Sequence, residues 1–252
     1  MTYFQGFVIP VKTADKRAYL EMARETAPIF AEYGAARTVE CWGDDVMDGK
    51  VTDLKKAVLA NDDETVVFSW IWWPDKATCD AAANKIMADE RMKPDGSMPF
   101  DGKRLISAGF DANFDTGDGG TFGYVDAVVA SVPDGNRQGF RDHAAHAARL
   151  FMDKGALRVV DGWGADVPTG KVTDFKRAVQ SKDGETVIFG WIEWPDKPTR
   201  DAGMGALMHD PRMREVAPAW NGPLAVFGGF MLILDTGHSA LEPGFAPGGE
   251  AA

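Results

Sequence analysis

Two carboxylates stand one pleat from an indole at equivalent places in this sequence: Glu40 with Trp42 in "ECWGDDV", and Asp161 with Trp163 in "DGWGADV". On a strand, residues two apart share a face. A carboxylate packed against an indole loses hydration, its charged form becomes costly, and its pKa climbs toward the range of a general acid or base. Glu40 and Asp161 are therefore catalytic candidates; a solvent-facing strand with a paired carboxylate is the structural alternative. His143 in "RDHAAHAARLF" is the third candidate, because imidazole titrates nearest neutrality. An Asp161–His143 acid/base pair would put the chemistry in the second half of the chain and leave the first half as a scaffold.

Around these residues the sequence offers a candidate ligand-binding set: the aromatic walls Trp42 and Trp163, with Asp45, Lys50, Asp166 and Lys171 as either pocket rim or ion pairs bracing a loop. Thr52-Asp53 before "LKKAV" reads as a helix cap. No metal site is expected. His143 and His146 lack a third ligand, and Cys41 and Cys79 have neither a C-x-x-C spacing nor a counterpart in the second half. No cofactor is expected either, since "GDGGTFG" leads into a strand rather than a helix and cannot form a phosphate cradle. A formal charge of −11 opposes nucleic acid and anionic membranes. No apolar run is long enough for a membrane span, and the N-terminus lacks a signal-peptide pattern, so the expected location is the cytoplasm.

The elements that must position these residues occur twice. Sliding the chain by 121 residues aligns "ECWGDDVMDGKVTDLKKAV" (40–58) with "DGWGADVPTGKVTDFKRAV" (161–179), and about 40 of the first 90 or so residues are identical. The expected organisation is a first repeat over 1–114, a Gly-rich linker over 115–123, a second repeat over 124–237 and a disordered tail over 238–252. Each repeat reads strand, helix, strand, strand, helix, strand. "ETVVFSWIWW" is apolar on both faces, and two helices can cover only one side of a four-stranded sheet. Packing the two bare sheet faces together buries both, so the halves should build one α+β barrel, a pseudo-dimer within one chain that leaves further oligomerisation open.

The strings "ECWGDDV", "GKVTD", "ETVVFSWI", "MADERM" and "MPFDGKRLISAGF" closely resemble the YbaA-like family, domain of unknown function 1428, over residues 1 to about 114 and more loosely over 122–235. The resemblance implies ferredoxin-like βαββαβ halves joined as an intramolecular dimeric α/β barrel. It implies no reaction. The second copy departs at "APAWNGPLAVFGGF", which lacks Lys103 and Arg104, so any role of those cations belongs to the first half. Three readings of function stand: a cofactor-independent enzyme acting on a small molecule by carboxylate/imidazole chemistry in an aromatic pocket, a non-catalytic small-ligand binder, and a structural or interaction module.

Overall fold

The computed structural model describes residues 2–93, 98–117 and 119–237; the expected tail from 238 lies outside the described residues. The first copy contains β1 (Tyr3–Lys12), α1 (Lys16–Glu32), β2 (Arg37–Asp45), α2 (Leu54–Ala57), β3 (Glu64–Trp73), α3 (Lys76–Ala88) and β4 (Ile106–Asp115). The second repeats the series: β5 (Tyr124–Pro133), α4 (Arg137–Asp153), β6 (Arg158–Asp166), α5 (Phe175–Ala178), β7 (Glu185–Trp194), α6 (Lys197–Met208) and β8 (Val226–Asp235). Local chemistry sets the boundaries. Asp75 and Asp196 begin α3 and α6 by accepting from the backbone N–H of Thr78 and Thr199, each at 2.8 Å. Gly34 follows α1 at φ +103°, a left-handed position that glycine adopts without steric cost.

All eight strands are antiparallel and close into one barrel. The order is β4-β1-β3-β2 in the first copy and β8-β5-β7-β6 in the second, with β2 paired to β8 and β4 to β6. The sequence predicts two sheet faces packed together; the structure also joins their edges by hydrogen bonds. Closure satisfies the backbone groups that four free edge strands would leave open. Ion pairs latch both seams. Arg37 donates two hydrogen bonds to Asp235 at 2.8 and 2.7 Å, and Arg158 two to Asp115 at 2.9 and 2.7 Å. Thr236 and Thr116 accept from the backbone N–H of Thr38 and Val159, so the repeated "DTG" closes the barrel from each copy onto the other.

Side chains of alternating parity fill the lumen, among them Val66, Phe68 and Trp70 on β3 and Val187, Phe189 and Trp191 on β7. Phe68 stacks on its own repeat partner Phe189, with centroids 4.2 Å apart, and Trp70 on its partner Trp191 at 4.3 Å. Trp72 has no such partner, because β7 carries Glu193 there; Glu193 is buried and accepts from the Trp191 indole at 3.0 Å. Phe122, in the stretch expected to be a linker, is buried against the same cluster.

The twice-written "GKVTD" turns α2 and α5 inward, where Leu54, Val58, Phe175 and Val179 join the lumen core. Thr52 Oγ1 donates to the carbonyl of Ala178 at 2.6 Å, and Thr173 Oγ1 to the carbonyl of Ala57 at 2.7 Å. Asp53 caps α2, as the sequence predicts, and Asp174 caps α5 in the same way. Gly49 and Gly170 are required by close approach, since a Cβ at either would collide with the carbonyl of Thr52 or Thr173. Among the described residues no helix is long and apolar enough to cross a membrane.

Two outcomes follow from closure. Replacing Thr52 and Thr173 together by Val should lower the urea midpoint by an amount worth about 2 kcal/mol, roughly 1 for each lost hydrogen bond, with the slope of the transition unchanged. The isolated segment 1–114 should self-associate in sedimentation, because separation opens the edges of β2 and β4; a stable monomer would show that the seams are dispensable.

Candidate functional site

Alternation along β2 sends Val39 and Cys41 into the lumen and Glu40 and Trp42 outward, beneath α1. The buried stripe of α1, Tyr19, Ala23 and Ala27, faces the sheet. Tyr19 donates to Glu40 Oε2 at 2.8 Å, both groups being buried. Strand pairing brings Ser69 of β3 directly opposite Glu40, and its hydroxyl favours the charged form of the carboxyl. The carboxyl lines a cavity of about 300 Å³ between the outer sheet face, α1 and the segment before β4. Phe7, Ile9, Met22, Phe30, Ile71 and Phe100 supply apolar wall. Burial raises the Glu40 pKa and the hydrogen bonds from Tyr19 and Ser69 pull it partly back, leaving it at about 7. A group that is half-protonated at neutral pH can give or take a proton with equal ease.

The segment that closes this cavity is anchored by one of the cations missing from the second copy. Arg104 donates to both oxygens of Glu64, at 2.6 and 2.7 Å, and to Asp101 at 2.9 Å. In the second copy Glu185, the counterpart of Glu64, accepts instead from Ser131 at 3.0 Å.

Asp161 occupies the same strand position on β6, with its surroundings changed in concert. Phe140 replaces Tyr19, and Gly190 lies opposite where Ser69 would be. A Cβ at Gly190 would collide with Asp161 Oδ1. Burial alone raises the Asp161 pKa to about 7. Trp220, at the position of Phe100, packs against Phe140 at 6.2 Å and edge-on to His143 at 4.8 Å. His143 is half-buried, and its Nδ1 has no hydrogen-bond partner among the described residues. Burial lowers its pKa, opposed by contacts with the backbone of Val216 and Ala217. Neither Asp161 nor His143 contributes to the shift of the other. No hydrogen bond or ion pair between them is seen among the described residues.

The sequence matches the family described as "Protein of unknown function (DUF1428)" twice, over residues 2–102 and 123–223. The chain belongs to that family. It is 56% identical to the uncharacterized protein YbaA of Escherichia coli strain K12 over 116 residues, which are 46% of this chain and 99% of the relative. YbaA of Shigella flexneri matches to the same extent. These relatives have the length of a single copy. Among solved structures the chain is similar to an anthrone oxidase-like protein, at 13% identity over 96% of both chains with a TM-score of 0.60. It is also similar to a "putative monooxygenase" from Lactobacillus acidophilus NCFM, at 11% identity over 93% of this chain and 95% of the other, with a TM-score of 0.56. Identities this low establish a shared fold.

In this DUF1428 chain the remaining predicted residues separate into walls and clamps. Trp42 lies 6.3 Å from the Tyr19 ring and under the Lys16 ammonium, and Trp163 lies 6.0 Å from Phe140 and under the Arg137 guanidinium. Asp45 pairs with Arg200 of α6 at 3.2 Å, while Asp166 lies 3.8 Å from Lys76 of α3. Both contacts cross between copies, so these carboxylates tie the halves together rather than bracing their own loops. Lys50 and Lys171 are exposed on the approaches to α2 and α5. Cys41 and Cys79 are free and buried. Among the described residues no cluster of three or more His, Cys, Asp or Glu side chains could hold a metal ion. Tyr19 and Ser69 escape a reading based on residue type alone; the signal was their joint loss, Tyr19 to Phe140 and Ser69 to Gly190, alongside Glu40 to Asp161.

Asp161 carries a consequence for stability. Its folded pKa of about 7 lies above the ordinary 3.8, so the folded state holds this proton more tightly than the unfolded chain does. That contribution is complete below about pH 3.8 and is lost as pH rises to 7. Asp161→Asn should therefore be more stable than the parent at pH 8, by at most a few kcal/mol, with the difference vanishing near pH 4; thermal melts across this range check it. Equal melting temperatures at pH 8 would mean that Asp161 ionises without penalty.

Proposed function

We propose that the protein is a small-molecule enzyme in which Glu40 transfers protons within the pocket of the first copy. One observation carries this reading: a buried carboxyl with a pKa of about 7 lines a largely apolar cavity and is held by the Tyr19 hydroxyl. Tyr19 acts as a positioning residue that sets the orientation of Glu40 and lowers its pKa. The second copy supports a weaker case. Asp161 and His143 share its outer side without a joining contact, and Trp220 packs against the imidazole.

Several coarser features accord with this role. The strand order in each half fits a ferredoxin-like unit, and we read the whole as the intramolecular counterpart of a dimeric α/β barrel. The oxidase-like and monooxygenase names attached to proteins of the same fold are in keeping with small-molecule chemistry. Two free buried thiols fit a reducing compartment such as the cytoplasm. The acidic charge disfavours nucleic acid as a partner.

The reading is tested by titrating carboxyl groups with ¹³C NMR in the parent, Glu40→Gln and Tyr19→Phe proteins. A resonance with a midpoint near 7 should disappear in Glu40→Gln. In Tyr19→Phe the same midpoint should move upward by about one pH unit, because a hydrogen bond favouring the charged form has been removed. A Glu40 midpoint near 4.5 in the parent would refute the proposal.

A further inference from the structure

Resting on that reading of Glu40, we propose a substrate class: a neutral, largely apolar carbonyl compound with an acidic C–H beside the carbonyl, on which the pocket catalyses enolisation and proton return. Size comes first. A cavity of about 300 Å³ holds about ten non-hydrogen atoms if each takes the roughly 30 Å³ of a water molecule. Its apolar walls favour a flat hydrocarbon body.

Charge decides the rest. The cations at the mouth already have carboxylate partners: Arg91 pairs with Asp89 at 2.7 Å and Glu32 at 2.9 Å, and Lys93 pairs with Glu90 at 2.5 Å. A second carboxylate, Glu25, stands beside them. An anionic substrate would enter an apolar space with no unpaired cation among the described residues that line it, at the full cost of desolvation. Among the described residues a cationic substrate has Glu40 as its deep partner, and that carboxyl already accepts from the buried Tyr19 hydroxyl. A neutral ligand avoids both costs.

The chemistry is limited by Glu40 being the one carboxyl at the cavity floor among the described residues. Glu40 as carboxylate removes a proton from the carbon next to the carbonyl. The C–H bond breaks, an O–H bond forms on Glu40, and the C–H electron pair becomes the C=C of an enolate as the carbonyl π pair moves to oxygen. The carboxylic acid then donates a hydrogen bond toward that oxygen or returns its proton to carbon. Return to the same carbon, after the acid proton has exchanged with solvent, gives isotope exchange; return to a conjugated carbon is isomerisation. Both balance without oxidant or cofactor, and both regenerate the carboxylate.

The test uses the full chain and 2-tetralone, a neutral bicyclic ketone of suitable size, in D₂O, with ¹H NMR following loss of the protons next to the carbonyl. The parent should exchange them at least tenfold faster than buffer or the Glu40→Gln protein. The rate should rise with pH to a plateau with a midpoint near 7, since the base form is the active one. Tyr19→Phe should retain exchange with that midpoint shifted upward, a result that a merely structural role for Tyr19 would not give. Equal rates in parent and Glu40→Gln would overturn the proposal. So would tighter binding, by saturation-transfer NMR, of 2-aminotetralin or of tetralin-2-carboxylate than of 2-tetralone. If Glu40 titrates near 7 and 2-tetralone binds without exchange, this substrate class falls while the acid–base reading survives. If Glu40 titrates near 4.5, both fall.

Discussion

Phe68 lies flat on Phe189 and Trp70 lies flat on Trp191, so the central side chains of the molecule each pack against their own repeat equivalent. That contact is possible only where an approximate two-fold axis passes through the lumen, and it fixes how the copies face each other. The reciprocal hydrogen bonds of Thr52 and Thr173 and the reciprocal latches of Arg37 and Arg158 obey the same axis. Each stacked aromatic pair adds about 0.5–1.5 kcal/mol beyond the area it buries. Register matters more than the energy of any one pair. A slip of one residue at either seam would turn lumen side chains outward and separate the arginines from their carboxylates.

A lumen fixed in this way leaves the outer faces free to diverge, and there the two copies differ. Glu40 and Asp161 reach a pKa of about 7 by different routes. Glu40 is more hydrated in effect, because Tyr19 and Ser69 replace part of the water that burial removes. Asp161 has lost both hydroxyls, and burial is the sole cause of its shift. A carboxyl held by donors has a defined direction and an adjoining cavity. A carboxyl pressed against Gly190, with Trp220 packed nearby over His143 and Phe140, has the same acidity without either hydroxyl. Perturbed pKa alone therefore does not rank the two sites; the geometry around each group does.

The duplication, the strand order and the double-sided β3 could be read in the sequence because each leaves a periodic trace. So could the cap at Asp53, where a short side chain meets a helix start. The surroundings of the candidate carboxyls were harder to read. Sequence reasoning favoured the half with a histidine, since imidazole is the usual neutral-pH group, but pKa is made by surroundings as much as by residue type. Tyr19 reaches Glu40 from 21 positions away, and Ser69 faces it only through strand register. Asp45 and Asp166 looked like loop residues, whereas they lie at the ends of β2 and β6 and grip the opposite copy. Long-range partners of this kind leave no local pattern.

Joining two copies in one chain also changes what a site can become. Relatives such as YbaA have the length of one copy, and two identical chains related by a two-fold axis would carry identical outer faces, so a substitution that filled one pocket would fill both. A fused pair escapes that constraint. The packing shows how the copies share one outer layer: Ile233 of β8 joins the cluster of Tyr19, Trp42 and Val67 beneath α1, so the second copy helps to wall the first copy's outer layer, while in its own layer Trp220 packs against Phe140 and His143. One half can then hold a buried carboxyl in an open cavity, a costly arrangement. The other keeps its buried carboxyl, Asp161, without the two hydroxyls, and contributes packing and seam contacts that keep the barrel closed.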